Sequence, residues 1–154
     1  MTTIKNKLIA FQEFLHKHIP ISKEMGLTVL EYTGDTVKFK APISLNINDK
    51  GSVFGGSGSS MMILTAWSLV KLNCEEKNII SDIVIHKNET VWHKAMYSDL
   101  IIEANFDTKY DFIKIKDKIK GKKHQRINCV IKLIDNNGDL FSTMAAKYVI
   151  IPKS

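Results

Sequence analysis

The segment from Gly51 to Val70, GSVFGGSGSSMMILTAWSLV, contains no charged residue, although 25% of this 154-residue chain is charged. Glycines and serines fill its first half, and the part from Met61 onward is mostly apolar. A membrane-spanning helix needs about 20 consecutive, predominantly apolar residues, so the apolar half is too short to span a bilayer. We therefore predict one helix from Gly56 to Asn73, with Ser57 as its N-cap, that is buried on most sides.

Periodic apolar residues on both sides of this helix predict the other elements. Spacings of three and four over residues 4–15 indicate an N-terminal helix that closes at Pro20. The sequence GLTVLEYTGDTVKFKAPI predicts a hairpin that turns at Gly34 and Asp35, with Leu27, Val29 and Glu31 on one face. Four runs rich in Ile and Val predict four later strands, and Asn-Asn-Gly at 136–138 joins the last two.

The predicted order is helix, two strands, buried helix and four strands. An antiparallel sheet wrapped around the uncharged helix explains this order, and it defines an α+β fold of the hotdog type. The chain contains no repeat or linker, so residues 1–154 are predicted to form one domain. The basic segment YDFIKIKDKIKGKKHQR either extends a strand or forms a loop.

Charge and cysteine content limit the function and the cellular location. The net charge of +6 favours anionic partners such as nucleic acid, a membrane surface or a phosphorylated cofactor. Nucleic acid is the weakest of these, because interleaved aromatic residues are few. Cys74 and Cys129 lie in no pairing motif, and the N-terminus lacks the features of a signal peptide, so a reducing, cytoplasmic location is expected. A cysteine nucleophile remains an alternative.

The glycine-rich stretch fails three known motifs. A phosphate-binding P-loop needs Lys where Ser57 stands, and a nucleophile elbow needs Gly where Ser59 stands. A dinucleotide fingerprint needs a βαβ unit, which the pattern does not provide. Two interpretations remain. Free N–H groups at the helix start can stabilise an oxyanion, or the glycines only permit tight packing. No spacing of His, Cys and Asp suits a metal, and neither a metal nor a cofactor is expected.

The stretch APISLNINDKGSVFGGSGSSMMILTAWSLV resembles the thioesterase family typified by the YiiD C-terminal domain. The matching residues are Ala41, Pro42, Asn46, Asn48, Gly51, Phe54, Gly56, Ser57 and Trp67. The segments FLHKHIPISKEMGL, SDIVIHKNETVWHKA and YVIIPKS fit the same family in the correct order. This resemblance implies a hotdog fold, an assembly that is at least dimeric, and hydrolysis of acyl thioesters.

The resemblance also assigns roles and exposes a departure. Better-understood hotdog thioesterases have a catalytic acid on the central helix, and Ile63 stands at that place here. One branch has His before the glycine pair, where this chain has Phe54. The resemblance implies that Asn48 polarises water or substrate. Asp82, expected to be buried in an apolar strand with a raised pKa, is the first candidate base, and Ser57 is a candidate for binding the carbonyl. The alternative roles are a structural ion pair for Asp82 and a helix cap for Ser57.

Substrate contacts are implied for two groups of residues. Asn46, Phe54, Gly55 and Gly56 belong to the glycine-rich stretch, and Lys122, Lys123 and Arg126 are candidates for the phosphates of CoA or a carrier arm. An equally acceptable interpretation of the lysines is a solvated edge that discourages aggregation. His86 and His93 are expected to make local hydrogen bonds. The leading hypothesis is an acyl-CoA or acyl-carrier thioesterase acting as a homodimer or tetramer, and the alternative is a non-catalytic acyl or CoA binder.

Overall fold

A computed structural model describes residues 3–154 of the chain. Residues 3–154 form four α-helices and six strands, with a 3₁₀ turn at Ile43–Leu45. In chain order they are α1 (Ile4–His18), α2 (Pro20–Glu24), β1 (Thr28–Tyr32), β2 (Thr36–Ala41), α3 (Gly55–Glu76), β3 (Ser81–Trp92), β4 (Leu100–Phe106), α4 (Phe112–Lys120), β5 (Gln125–Ile134) and β6 (Leu140–Pro152).

The six strands form one antiparallel sheet in the order β1-β2-β4-β5-β6-β3. Helix α3 packs across one face of this sheet and contacts five of its strands. The predicted α+β hotdog architecture is therefore confirmed. Both predicted hairpins form, and Gly138 in the second turn has a φ of 82°, a backbone conformation that favours glycine.

Helix α3 begins earlier than predicted. Phe54, not Ser57, occupies the N-cap position with an extended backbone (φ −66°, ψ 127°), so Ser57 lies within the first turn. No side chain caps this end of α3. The predicted burial is confirmed, because eleven of its residues are buried against the sheet and N-terminal helix. Burying this apolar surface removes it from water and supplies much of the driving force for folding.

The basic segment after β4 forms helix α4, so both predicted alternatives for it, strand and loop, are wrong. Asp111 caps α4 by accepting hydrogen bonds from the N–H groups of Ile113 and Lys114. Buried Phe112, Ile115 and Ile119 supply a helical apolar stripe. The alternation of Ile and Lys in this segment resembles the pattern of a strand. The apolar residues at spacings of three and four are buried together on one face of a helix, and their burial favours the helix.

Strand β1 contains a register shift between Val29 and Glu31. This irregularity turns Tyr32 toward the core, where it is buried, while Glu31 remains half-exposed. The prediction that Glu31 shares a face with Leu27 and Val29 is therefore wrong. Alternation of apolar and polar residues in the sequence cannot reveal a bulge, because one extra residue turns every later side chain of the strand to the opposite face of the sheet.

The two edges of the sheet differ in how they are covered. Beside β1, Gln12 Oε1 on α1 accepts a hydrogen bond from the Val29 N–H at 2.9 Å, and a His16 ring nitrogen lies 2.8 Å from the Leu27 carbonyl oxygen. Along β3, by contrast, no other element of residues 3–154 covers the outer edge. Side chains at both ends of this twelve-residue strand, including Val84 and Trp92, are exposed.

Candidate functional site

The loop that leads into α3 is held by Asn46. The Nδ2 group of its buried side chain donates to the carbonyl oxygens of Met25 and Pro42, at 2.9 and 2.7 Å. The backbone carbonyl oxygen of Asn46 accepts from the N–H of Phe54. Asn46 is only 1% exposed. Its position therefore explains how the helix start is fixed, and a substrate could reach its side chain only if the loop opened.

Asn48 organises the next turn of the same loop. Its Oδ1 accepts hydrogen bonds from the N–H groups of Lys50 and Ser52, and its Nδ2 donates to Ser52 Oγ at 2.9 Å. The side-chain oxygen of Asn48 is thus already occupied by two backbone donors. One hydrogen of Nδ2 is left for an outside acceptor, so Asn48 is placed to donate to a substrate or water rather than to accept from it.

The first turn of α3 presents backbone donors without partners. An α-helix leaves its first N–H groups without intrahelical acceptors. Within residues 3–154, the N–H groups of Gly55, Gly56 and Ser57 have no acceptor, whereas Gly58 already donates to the Phe54 carbonyl oxygen. The positive end of the helix dipole lies at the same place, so an anionic or strongly polarised oxygen is favoured there.

Two aromatic rings pack directly on this first turn because glycines leave room for them. A Cβ atom on Gly56 would come within 2.3 Å of the Phe54 ring. A Cβ atom on Gly58 would come within 3.1 Å of the Trp92 ring. Close packing, one of the two interpretations of the glycines, therefore occurs, and it occurs beside free N–H groups.

A cavity of about 420 Å³ opens between this helix start, the end of β3 and the following loop. Its size is within the range of small-molecule sites. The Val53 N–H donates to the Met96 carbonyl oxygen at 2.8 Å and ties the loop before α3 to the loop after β3. The cavity is lined by Val53, Gly55, Trp92, Lys94, Ala95, Met96, Leu133 and Phe141.

Lys94 is the one ionisable residue among those that line this cavity. Its Nζ atom lies 4.8 Å from the centroid of the Phe141 ring, which suits a cation–π contact. At the position of the usual helix acid, Ile63 is half-buried and packs against the core. The Tyr148 hydroxyl donates to the Ile63 carbonyl oxygen, and burial raises the pKa of Tyr148, so this hydroxyl stays neutral.

The expectation that Asp82 is buried is wrong. Its side chain is 64% exposed, and its carboxylate lies 3.9 Å from Lys153 Nζ. Ser81 is buried and Ile83 packs against the core, so alternation turns Asp82 to the sheet face away from α3. Along β3 it is ten residues from Trp92, about 33 Å at 3.3 Å per residue. Asp82 therefore cannot act as the base at the α3 N-terminus of its own chain.

The cysteine alternative is disfavoured by burial. Burial raises the pKa of the Cys74 thiol to about 11 and that of the Cys129 thiol to about 12. Both cysteines are free and buried, and neither lines the cavity. Because the thiolate is the nucleophile, two protonated and inaccessible thiols are unsuited to covalent catalysis near neutral pH.

The residues predicted to bind phosphates do not lie together. Lys122 lines a cavity near the end of α3, and Lys123 follows it in the turn after α4. Arg126 lines a different cavity with His86 and Val149. His93 makes a local contact, with a ring nitrogen 3.1 Å from Thr143 Oγ1, as predicted.

Neither a metal-binding cluster nor a membrane-spanning helix is present among residues 3–154. No group of three or more His, Cys, Asp or Glu side chains is arranged to hold a metal ion. In this described part of the chain, no helix is both long enough and apolar enough to cross a membrane.

Sequence reasoning missed most of the cavity wall. Trp92 ends β3, and Lys94 and Met96 lie in the loop that follows it, whereas Leu133 and Phe141 come from the facing ends of β5 and β6. The adjacent Trp92, His93 and Lys94 within VWHKA are the available sequence signal. Only the strand pairing brings Leu133 and Phe141 next to the helix start.

Comparison with known proteins gives one family and many related folds. A family profile described as "Putative thioesterase (yiiD_Cterm)" matches residues 8–152. The structure of a putative thioesterase from Shewanella oneidensis is 23% identical in sequence, and the match covers 97% of this chain and 100% of that protein, with a TM-score of 0.84. A protein of unknown function from Chlorobaculum tepidum is 24% identical, covering 99% and 98%, with a TM-score of 0.87. A thioesterase from Haemophilus influenzae is 11% identical, covering 94% and 90%, with a TM-score of 0.76.

Proposed function

Because the chain belongs to the YiiD C-terminal thioesterase family, we propose that it hydrolyses an acyl thioester at the N-terminus of α3. The observation that carries this proposal is the set of free N–H groups on Gly55, Gly56 and Ser57 beside an apolar cavity. The thioester carbonyl oxygen accepts from the N–H groups of Gly56 and Ser57, and these donors stabilise the oxyanion that forms when water attacks.

The polar groups around the carbonyl have separate tasks in this proposal. Ser57 Oγ has no hydrogen-bond partner within residues 3–154, and it is available to hold water or the substrate. The remaining Nδ2 hydrogen of Asn48 is a second available donor. Phe54 and Trp92 shield the carbonyl from bulk water. A site with less water strengthens each electrostatic contact with the oxyanion.

We propose that a second copy of the chain supplies the base. Among the cavity-lining residues of one copy there is neither a carboxylate nor an imidazole. The uncovered edge of β3 is suited to antiparallel pairing with its counterpart, which would bring the start of one β3 beside the end of the other. Asp82 faces away from α3, which argues against it as the base even in such a pair.

The polar residues on the α3-facing side of β3 can position the attacking water, a task separate from that of the base, because neither an amide nor a hydroxyl accepts its proton near neutral pH. After the register shift near residue 86, Asn88 and Thr90 alternate on the same face as Trp92, which contacts α3. Thr90 Oγ1 lies 3.2 Å from Asn88 Oδ1, and Asn88 is exposed. In a paired dimer these groups of the second copy lie along the groove between α3 and β3 of the first copy, where they can position a water molecule.

The proposed substrate is an acyl-CoA or an acyl-carrier thioester. The apolar cavity walls suit the acyl chain, and Lys123 and Arg126 are the proposed contacts for phosphates, whereas Lys122 lines the separate cavity near the end of α3. Two free, buried cysteines are consistent with the proposed cytoplasmic location.

Hydrolysis of a panel of acyl-CoAs by the purified protein, compared between Ser57→Pro and Ser57→Ala, tests this function. Proline is tolerated in the first turn of a helix, and it removes the N–H that we assign to the oxyanion. We expect kcat to fall about 100- to 1000-fold in Ser57→Pro. Ser57→Ala keeps the N–H and serves as the matched control, with a much smaller loss. Equal losses in both variants would contradict the backbone oxyanion site.

A non-catalytic acyl or CoA binder is the second candidate function. It is favoured by Ile63 at the usual acid position and by the absence of an acid or imidazole among the lining residues. Thermal-shift titration with CoA separates the two proposals. Stabilisation by CoA with no turnover of any acyl-CoA would establish the binder, and turnover that depends on the Ser57 N–H would establish the hydrolase.

A further inference from the structure

A second cavity, of about 380 Å³, lies where the chain leaves α3, at the opposite end of that helix from the glycine pair. Four lysines line it: Lys116 and Lys120 from α4, Lys122 from the turn after α4, and Lys153 after β6. These positions are separated in sequence, and the fold brings them to one opening. We call this cavity the lysine pocket.

Little negative charge compensates the lysine pocket. Within residues 3–154, only Lys153 of the four has a carboxylate within 4.0 Å, the Asp82 group at 3.9 Å. The Lys122 ammonium donates to the Lys153 carbonyl oxygen at 3.3 Å. The C-terminal dipole of α4 favours a cation in its last turn, which accounts for Lys120 but not for Lys122 or Lys153, which lie beyond it.

The floor of the lysine pocket is apolar. Ile119 and Ile79 are buried beneath it, Pro152 forms part of the wall, and Ile80 lies at the rim with 76% of its surface exposed. This combination of a cationic rim and an apolar floor differs from a solvated lysine surface. It matches a ligand that carries both phosphate groups and a nonpolar part.

Two non-glycine residues with positive φ angles lie beside the same pocket. Within residues 3–154, the non-glycine residues with positive φ are Asn78 (55°) and Lys122 (62°), and both line this pocket. Asn tolerates this conformation, whereas a lysine adopts it at a cost that glycine would avoid. The neighbouring Gly121 has a φ of −79°, which any residue can adopt. The positive φ of Lys122 belongs to the turn that ends α4, in which the Lys122 N–H donates to the Ile119 carbonyl oxygen and the Lys123 N–H to the Lys118 carbonyl oxygen. A lysine at this position is less stable than a glycine would be.

We propose that the lysine pocket binds an amphiphilic organic phosphate. The ammonium groups of Lys116, Lys120 and Lys122 contact the phosphate oxygens, and the nonpolar part of the ligand covers Ile80 and Ile119. A nucleoside diphosphate and a phospholipid headgroup with its first acyl carbons share this chemistry. The proposal goes beyond thioester hydrolysis and does not depend on it, because the pocket is remote from the α3 N-terminus of its own chain.

Calorimetric titration of the full chain at constant ionic strength tests the ligand class. The probes are ADP, soluble dihexanoyl phosphatidic acid and inorganic pyrophosphate. We expect one of the two amphiphilic probes to bind about tenfold more tightly than pyrophosphate, because apolar contact adds to the phosphate contact. The tighter of the two identifies the source. Binding of pyrophosphate with equal affinity, or binding of no probe, would overturn the assignment. Because binding is measured directly, the result is independent of any thioesterase activity.

Variants at Lys122 separate ligand binding from a structural role. In Lys122→Gly we expect the melting temperature to rise through relief of the positive φ, while affinity for the preferred probe falls about tenfold. Lys122→Gln retains the strain and should lose affinity without the gain in stability. Lys114→Gln removes the same charge from α4 outside the pocket and is the matched control. Loss of affinity in Lys114→Gln as large as in Lys122→Gln would show general electrostatic attraction and overturn the pocket assignment.

Discussion

At the scale of single residues, the two buried thiols give the chain a predictable sensitivity to alkaline pH. In the folded protein, burial raises the pKa of Cys74 to about 11 and that of Cys129 to about 12, from an ordinary value of 9.0. Above pH 9 the unfolded chain therefore loses these protons before the folded chain does. The stabilising contribution is fully present below pH 9 and is lost as pH rises toward 11 to 12. Each thiol lowers the free energy of unfolding by about 1.4 kcal/mol per pH unit in that window.

Urea unfolding between pH 8 and pH 10 measures this slope. Measurements stop at pH 10 because burial also raises the pKa values of Tyr32 and Tyr148, whose ordinary value is 10.0. Cys129→Ala should remove the contribution of one thiol from the slope of the unfolding free energy against pH. The substitution also lowers stability at every pH, because it removes buried atoms. An unchanged slope in that variant would show that Cys129 ionises equally easily in both states.

Residue roles were the least predictable part of the site, and Asp82 shows why. Its apolar neighbours suggested burial, but β3 is an edge strand in which every second side chain lies on the sheet face away from α3. Asn48 was singled out by resemblance, and in the structure its oxygen accepts from the Lys50 and Ser52 N–H groups. Neither strand order nor a loop's own hydrogen bonds can be read from a local pattern.

At the scale of elements, α1 closes one edge of the sheet through Gln12. Gln12→Ala leaves the Val29 N–H, at 2.9 Å from Oε1 in the native chain, without its acceptor. We expect this change to lower the free energy of unfolding by about 1 to 2 kcal/mol, the usual effect of an unsatisfied, partly buried donor. Glu13→Ala, an exposed change on the same helix, is the control. Equal urea midpoints for the two variants would contradict the capping role of Gln12.

Elements were predictable where a single periodicity dominated. The uncharged run gave α3, and the turn residues gave both hairpins, because those signals are local. Helix α4 was missed because its isoleucines alternate with lysines as in a strand. Asp111 and the spacing of Phe112, Ile115 and Ile119 contained the helical signal. Residues Leu133 and Phe141 became part of the candidate site only through the pairing of β5 with β6.

At the scale of the whole molecule, the unequal sheet edges predict self-association along β3. Gln12 and His16 cover the β1 edge, whereas the long β3 edge is open and carries exposed Val91 and Trp92. An uncovered edge of this length is a template for pairing with another chain. The half-buried stripe of α3 that includes Ile63 and neighbours β3 is a further apolar surface that a second copy can cover. We expect a dimer in analytical ultracentrifugation at micromolar concentration.

Reversing one charge near the middle of β3 tests this arrangement and its link to activity. In antiparallel pairing centred on Asn88, Glu89 of one copy lies opposite Lys87 of the other, and Lys147 pairs with Lys87 within each copy. Glu89→Lys would gather like charges at the interface and should raise the dimer dissociation constant about tenfold, because juxtaposed like charges are destabilising. Glu13→Lys makes the same charge change on α1 and should leave dimerisation intact.

If the second copy completes the site, dilution that dissociates the dimer will also lower the specific thioesterase activity. In Glu89→Lys this loss of activity will begin at a higher protein concentration than in the native chain. Activity that stays constant while the dimer dissociates would place every catalytic group within one copy.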